Sequence, residues 1–321
     1  MWISRVSIAE ISSAFLSPPG ALNRHFYGHA GGRRFGSIRA NCVHSGFAPT
    51  LLQLPDIFSI LTLVSCCALL GALAGFLGGL LGIGGGVVMV PGLAVLFDVL
   101  GLFPESGTLF ALGTSLLVIV FTSLSAARAQ ILAGKVIWQL VKTLAPWLIV
   151  GGFAAGWLAV SLPIPVLRGF IALFLFAVAA IMLANWKPLP GREMPGRVGS
   201  AALGTGAGLI SGLAGIGGGN VIVPTFLYHN VPVHNATATS STLGVPVAAA
   251  GALGYALQGE VTSTQLGFIY LPAAAALVVA SVALAPFGVR LAHKTDATRL
   301  KKWFGGLLIL VASRMLYTAL T

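Results

Sequence analysis

Charge is what this sequence has least of. Of its 321 residues, 18 are Lys or Arg and 7 are Asp or Glu, so that 8% are charged. Soluble domains carry roughly a quarter, and need them to cover their surface. That shortage excludes a soluble enzyme, a nucleic-acid binder and a disordered chain. Cysteine is nearly absent too. Cys42, Cys66 and Cys67 are all there is, and an adjacent pair in an apolar run has the spacing of neither a disulfide nor a metal site. No metal, cofactor or catalytic constellation is expected. Apolar residues, by contrast, make up 57% of the chain, and the mean hydropathy is +0.96. The composition is that of a polytopic membrane protein, with the lipid bilayer as its solvent.

The net charge of +11 resembles a nucleic-acid signal, but its distribution does not. The cations sit in an N-terminal tail and in short loops between apolar segments, so no nucleic-acid partner is expected. The tail, residues 1–55, holds Arg5, Arg24, Arg33, Arg34 and Arg39 among Ser, Gly and Pro, with one acid, Glu10. That is the composition of an organellar transit peptide. A start assigned too far upstream in a bacterial reading frame accounts for it better, because no clear cleavage pattern follows. Under that reading the protein belongs to a bacterial inner membrane. The tail is set aside from the fold.

A membrane span needs roughly 20 mainly apolar residues, and eight regions qualify: 57–97 and 199–228, both interrupted, and 108–127, 138–160, 166–185, 236–257, 266–289 and 302–320. Without water to satisfy the backbone, these regions should be helical wherever they meet lipid. Eight simple crossings would put the most basic loop, with Arg290, Lys294, Arg299, Lys301 and Lys302, outside the cell, against the positive-inside rule. The conflict disappears if both interrupted segments enter and leave on one face. The connections after 127, 185 and 290 then share the cytoplasmic side, and Glu260 lies outside.

An internal repeat is legible by eye. Residues 71–91 (GALAGFLGGLLGIGGGVVMVP) align without gaps on 204–224 (GTGAGLISGLAGIGGGNVIVP), with 13 of 21 positions identical at an offset of 133. At an offset of 125, Thr114-Ser115 corresponds to Thr239-Ser240, and Gly134-Lys-Val136 to Gly259-Glu-Val261. Leu167 and Met182 match Leu300 and Met315 with the offset again 133. The expected architecture is therefore all-α, with two four-segment repeats, 57–187 and 198–321, each opening with a glycine-broken helix. Three true crossings per half would make the repeats inverted, as in many secondary transporters.

Within the repeat, Gly71, Gly75 and Gly79, like Gly204, Gly208 and Gly212, form a small-xxx-small ridge suited to close helix packing. The GIGGG runs are different. Gly82, Gly84, Gly85 and Gly86, and Gly215, Gly217, Gly218 and Gly219, permit positive φ and weaken a continuous helix by roughly 1 kcal/mol each. A helix, a break and a short second helix ended by Pro91 or Pro224 is the expected result. Such a helix start offers unpaired N–H groups and about half a positive charge. Two of them meeting near the midplane would hold an anion without a buried cation. A bend that serves only tight packing is the plainer alternative. A dinucleotide fingerprint is excluded, because Val87 and Asn220 stand at its sixth position and the flanks are membrane spans.

Thr114, Ser115, Thr239 and Ser240 offer hydroxyls beside the breaks; back-bonding to their own helices is the competing use. Asn220, where the first copy has Val87, makes the halves chemically unequal. His229, His234, Arg128 and Arg314 read as loop or snorkelling residues.

A doubled G-x-x-x-G-x-x-x-G…GIGGG…VP, each copy followed by A-x-x-T-S and then G-x-V, resembles the TauE/SafE family of membrane transporters over residues 57–321. The resemblance implies a helical permease of two repeats moving sulfite, sulfoacetate or a related small organosulfur or organic anion, often outward. It carries the glycines of both runs, Pro91, Pro224, Thr114, Ser115, Thr239 and Ser240 into the expected site. The expected function is thus secondary transport of a small anion by alternating access. An anion channel and a membrane assembly factor are the rival readings. The pattern is compatible with a coupling ion and with a homo-oligomer, and it does not identify the cargo.

Overall fold

The computed structural model describes residues 57–81, 85–184, 194–292 and 297–320. The Arg-rich tail, Gly82 and Gly84 lie outside the described residues. Ten helices are described: α1 (Ile57–Leu81), α2 (Gly86–Val99), α3 (Gly107–Leu132), α4 (Trp138–Ser161), α5 (Ile164–Leu183), α6 (Arg197–Ala214), α7 (Gly219–Tyr228), α8 (Val233–Ala256), α9 (Leu271–Ala292) and α10 (Ala297–Leu320). Two-residue strands β1 (Gln265–Leu266) and β2 (Ile269–Tyr270) pair antiparallel just before α9. Among the described residues, five helices are long and apolar enough to cross a membrane. The protein is an all-α polytopic membrane protein.

The eight apolar regions become ten helices because both glycine runs divide their segment. α6 ends in a Schellman turn: Gly215 is left-handed at φ +66°, its N–H donates to Gly212 O, and Ile216 N–H donates to Ser211 O at 2.9 Å. Gly218, at φ +82°, then opens α7. Only glycine adopts both conformations cheaply.

Pro91 and Pro224 do not end the second pieces, contrary to the expectation from sequence. Both lie inside a helix, α2 continuing to Val99 and α7 to Tyr228. Each ring deprives one first-turn carbonyl, of Val87 or Asn220, of its partner, at roughly 3 kcal/mol. The residues that follow bury Leu93, Ala94 and Phe97 on α2 and Phe226 on α7. Each large side chain among them returns roughly 1.5–3 kcal/mol, so continuing the helix offsets the break.

Both broken helices double back. A Cβ on Gly85 would come within 2.5 Å of Ala74 O, and one on Gly92 would strike Leu70, so α2 retraces α1. Ile222, Thr225 and Phe226 share a small cavity with Leu203, Gly204 and Ala207, so α7 retraces α6. The first hairpin enters from the end of the molecule where α3 begins and the second from the end where α3 finishes. Ring, ion-pair and hydrogen-bond contacts fix these ends. Phe97 of α2 meets Tyr270 and Phe103 edge-on, while Phe103 stacks on Phe110 of α3 at 3.8 Å. Arg168 of α5 joins the same end by an ion pair to Asp98 (3.3 Å) and a bond to Thr108 (2.9 Å). At the other end Asn235, just inside α8, donates to Lys135 O beyond α3.

Helix packing follows the sequence correspondence. The α1 ridge lies on α9, with Gly71 against Leu277 and Gly75 against Ser281; the α6 ridge lies on α4, with Gly208 against Leu148 and Gly212 against Ala155. α3 packs on α9 and α8 on α4, α2 on α3 and α7 on α8, while α3–α8 and α5–α10 pair with their own counterparts. Each of these packings has its counterpart, or is its own, when one half is exchanged for the other.

Two hydrogen bonds repeat in the same way. Thr114 Oγ1 accepts the Tyr270 N–H at 3.0 Å, and Thr239 Oγ1 accepts the Ile137 N–H at 3.0 Å. Both threonines are fully buried, and each holds the chain entering a long helix. Replacing either by valine keeps the shape and leaves a donor unanswered. Thr114→Val and Thr239→Val should each lower stability in detergent by about 1–3 kcal/mol, similar in size at the two sites. Chemical-denaturation midpoints equal to wild type would remove this role.

Candidate functional site

The tips of the two hairpins touch. A Cβ on Gly86 would stand 3.2 Å from both Gly215 O and Ile216 Cα, and one on Gly215 would lie 2.5 Å from Val90 Cγ2. The meeting point is flanked by Ser115, Ile119 and Ser123, near the middle of α3, and by Gly244, near the middle of α8. Ser115 Oγ donates to Leu112 O at 2.8 Å and to Gly215 O at 3.2 Å, tying α3 to the second tip. Ile119 is wedged between the tips: its Cδ1 occupies the space a Cβ on Gly86 would need, and its Cγ2 that of Gly217. A Cβ on Gly244 would come within 2.8 Å of Gly217 O and 3.0 Å of Ser123 Oγ.

Gly85, Gly86, Gly215, Gly217, Gly218, Gly219, Asn220 and Ser115 are therefore gathered in one place. Ser240, the repeat counterpart of Ser115, is buried on α8 with its Oγ unpartnered. Thr114 and Thr239 lie one residue away, with their oxygens engaged by the backbone of Tyr270 and Ile137. Gly75, Gly208 and Gly212 belong to the ridges, and Gly79 lies in the last turn of α1.

Backbone donors dominate the junction. In α7 the first intrahelical bonds are Val221 N–H and Ile222 N–H to Gly218 O, at 3.1 and 2.8 Å, and in α2 they are Val88 and Met89 N–H to Gly85 O, both at 3.2 Å. The N–H groups of Gly86, Val87, Gly219 and Asn220 precede them and meet no backbone acceptor among the described residues. Neither N-cap supplies a side-chain bond. Two positive helix ends thus face a junction whose named neighbours are glycine, serine, isoleucine and asparagine, with no cation. An oxyanion is the ligand such donors answer.

Among the described residues, three polar groups stand unpartnered and buried: Ser211 Oγ, Asn220 Nδ2 and Ser240 Oγ. Asn220 and Ser240 are evident from the motif, while Ser211, Ser123 and Ile119 are not. The signal for them is a disagreement between the halves, since their repeat counterparts are Gly78, Ala248 and Gly244.

Comparison with known proteins agrees over nearly the same span. Residues 67–315 match the model of the family described as Sulfite exporter TauE/SafE. A Haemophilus influenzae protein named as a probable membrane transporter is 32% identical over 260 residues, covering 79% of this chain and 98% of that one. A Methanocaldococcus jannaschii protein, likewise named as a probable membrane transporter, is 27% identical over 248 residues, 76% and 92% of the two chains. No solved structure matches.

The wedge at Ile119 makes the tips sensitive to a single methyl group. Gly86→Ala should lower stability by about 1–3 kcal/mol through overpacking. Ile119→Val removes the Cδ1 that collides with it, so the double variant should recover about 0.5 kcal/mol or more relative to additivity. Strict additivity in thermal or chemical unfolding would show that the two side chains do not meet.

Proposed function

From the premise that this chain belongs to the TauE/SafE sulfite exporter family, we propose that it is a secondary transporter that carries a small anion, such as sulfite, sulfoacetate or a related organosulfur or organic anion, outward by alternating access. The observation that carries the reading is the contact of two hairpin tips, entering from opposite ends and meeting at mid-molecule, with helix-start N–H groups that have no backbone acceptor and with no cation beside them among the described residues. A site of that kind holds an anion through many weak donors, which suits a solute that must leave again. It also sits where rocking of one half against the other would expose it to either side in turn.

The two halves act as inverted repeats in this reading. The paired packings support it, and so do the hairpins' opposite points of entry. Loop charge supplies the orientation. Arg128, Lys135, Lys142, Arg197 and Lys302 belong to helices or connections at one end, while Asp98, Glu105 and Glu260 belong to the other. The positive-inside rule makes the basic end cytoplasmic. The sequence holds no nucleotide-binding motif, so an ion gradient or the anion's own gradient drives the flux.

Reconstituted protein should show saturable sulfite or alkylsulfonate flux. Gly85→Val intrudes on Ala74 O, and Gly218→Val forces a branched residue to φ +82°. Each should cut flux at least tenfold while the protein still elutes as a folded species. Wild-type flux in both variants would end the assignment of the tips as the site.

A further inference from the structure

The repeat makes the two tips look equivalent, and their surroundings are not. Around the α7 turn stand Asn220, Ser211 and Ser123. The positions that correspond to them across the repeat are Val87, Gly78 and Ala248, all without a polar side chain. Exposure differs at three matched pairs: Gly86, Val87 and Ala248 are buried, whereas Gly219, Asn220 and Ser123 are partly open; Gly85 and Gly218 are both buried, and Ser211 is buried where Gly78 is partly open. A polar, partly open face cannot rest against acyl chains without cost, so it lines water.

Two polar groups at the α7 turn have no partner among the described residues. Ser211 is wholly buried, and its Oγ lies 3.9 Å from where a Cβ on Gly218 would stand. Asn220 has a buried, unpartnered Nδ2 in the first turn of α7. A buried donor left unmet costs about 1–3 kcal/mol, and two at one helix start indicate a partner that the protein does not supply. Ser123 Oγ, 3.6 Å from where a Cβ on Gly217 would stand, reaches the same turn from α3. The N–H groups of Gly219 and Asn220 complete a set of donors that contains no acceptor-only group, the set an oxyanion requires.

Resting on the anion-carrier reading above, we propose that the bound anion's charged oxygens are held by the α7 turn alone, through the Gly219 and Asn220 N–H groups, the Asn220 amide and the Ser211 and Ser123 hydroxyls. The α2 turn supplies an apolar wall. Repeat symmetry thus governs the motion while recognition is one-sided, gathered at the α7 turn from residues of α6, α7 and α3. Ser123, on a helix outside both glycine motifs, is part of the binding site.

The test measures KM for sulfite and for methanesulfonate in proteoliposomes containing the whole chain. Asn220→Val and Ser123→Ala should each raise KM about tenfold, the size of one lost hydrogen bond to a charged group. Ala248→Ser, which puts a hydroxyl at the position corresponding to Ser123, should leave KM within about twofold. Asn220→Ser, which retains a donor, should recover part of the loss and guards against misreading a folding defect. If Asn220→Val and Ser123→Ala keep the wild-type KM, or if Ala248→Ser lowers it about tenfold, the one-sided site is overturned and the carrier reading survives. If the wild-type protein shows no saturable flux of either anion, the carrier reading fails and this inference with it.

Discussion

A peptide group stripped of its helical partner has nowhere to turn in hydrocarbon, and that constraint organises this molecule. Each unmet N–H or C=O in lipid costs several kcal/mol, so a break in a membrane helix survives only where protein or water meets it. The chain breaks two segments at glycine runs and buries both breaks against each other, against Ser115 and Ile119 of α3 and against Gly244 of α8. The ridges of glycine serve the same end. Gly71 and Gly75 on α9, and Gly208 and Gly212 on α4, let backbones approach closely enough to hold each hairpin rigidly beside a full-length helix.

What was legible in the sequence was whatever depends on local backbone chemistry. The separation of α1 from α2 and of α6 from α7 follows from the glycine runs, and left-handed Gly134 and Gly259 (φ +66° and +91°) occupy matched G-x-V positions. Correspondence between the halves was equally plain, because it is written as identity at fixed offsets. Contacts between distant positions were not. Nothing local shows that Leu70 lies over Gly92, and so the doubling back had to be argued from loop charge. Pro91 and Pro224 misled for the opposite reason: a local rule about proline gave way to the burial of Phe97 and Phe226 further on.

The hydroxyls show how motif and role separate. Thr114 and Ser115 are neighbours and look like one donor pair. A helix turns about 100° per residue, so the two point to different neighbours. Thr114 accepts from the chain entering α9, and Ser115 reaches the second hairpin tip. Thr239 repeats the first of these, binding Ile137 as Thr114 binds Tyr270. Ser211 and Ser123 belong to no recognisable motif, and only the lack of a polar counterpart in the other half sets them apart.

The absence of a cation at the junction has an energetic logic. An arginine buried there would need its own partner when the anion left, and an uncompensated buried charge costs about 3–5 kcal/mol. Helix starts and neutral donors carry no such penalty. An anion at a helix N-terminus gains about 0.3–2 kcal/mol, and each further donor adds about 1.5–3 kcal/mol when the acceptor is charged. In the proposed site, a handful of these would yield binding strong enough to select an anion and weak enough to release it. The half-charges of the two helix starts remain when the site is empty, held in place by ridges that pack the same way in both halves. A carrier has to be stable both loaded and unloaded, and fixed dipoles on rigid hairpins meet that requirement where a mobile charged side chain would not.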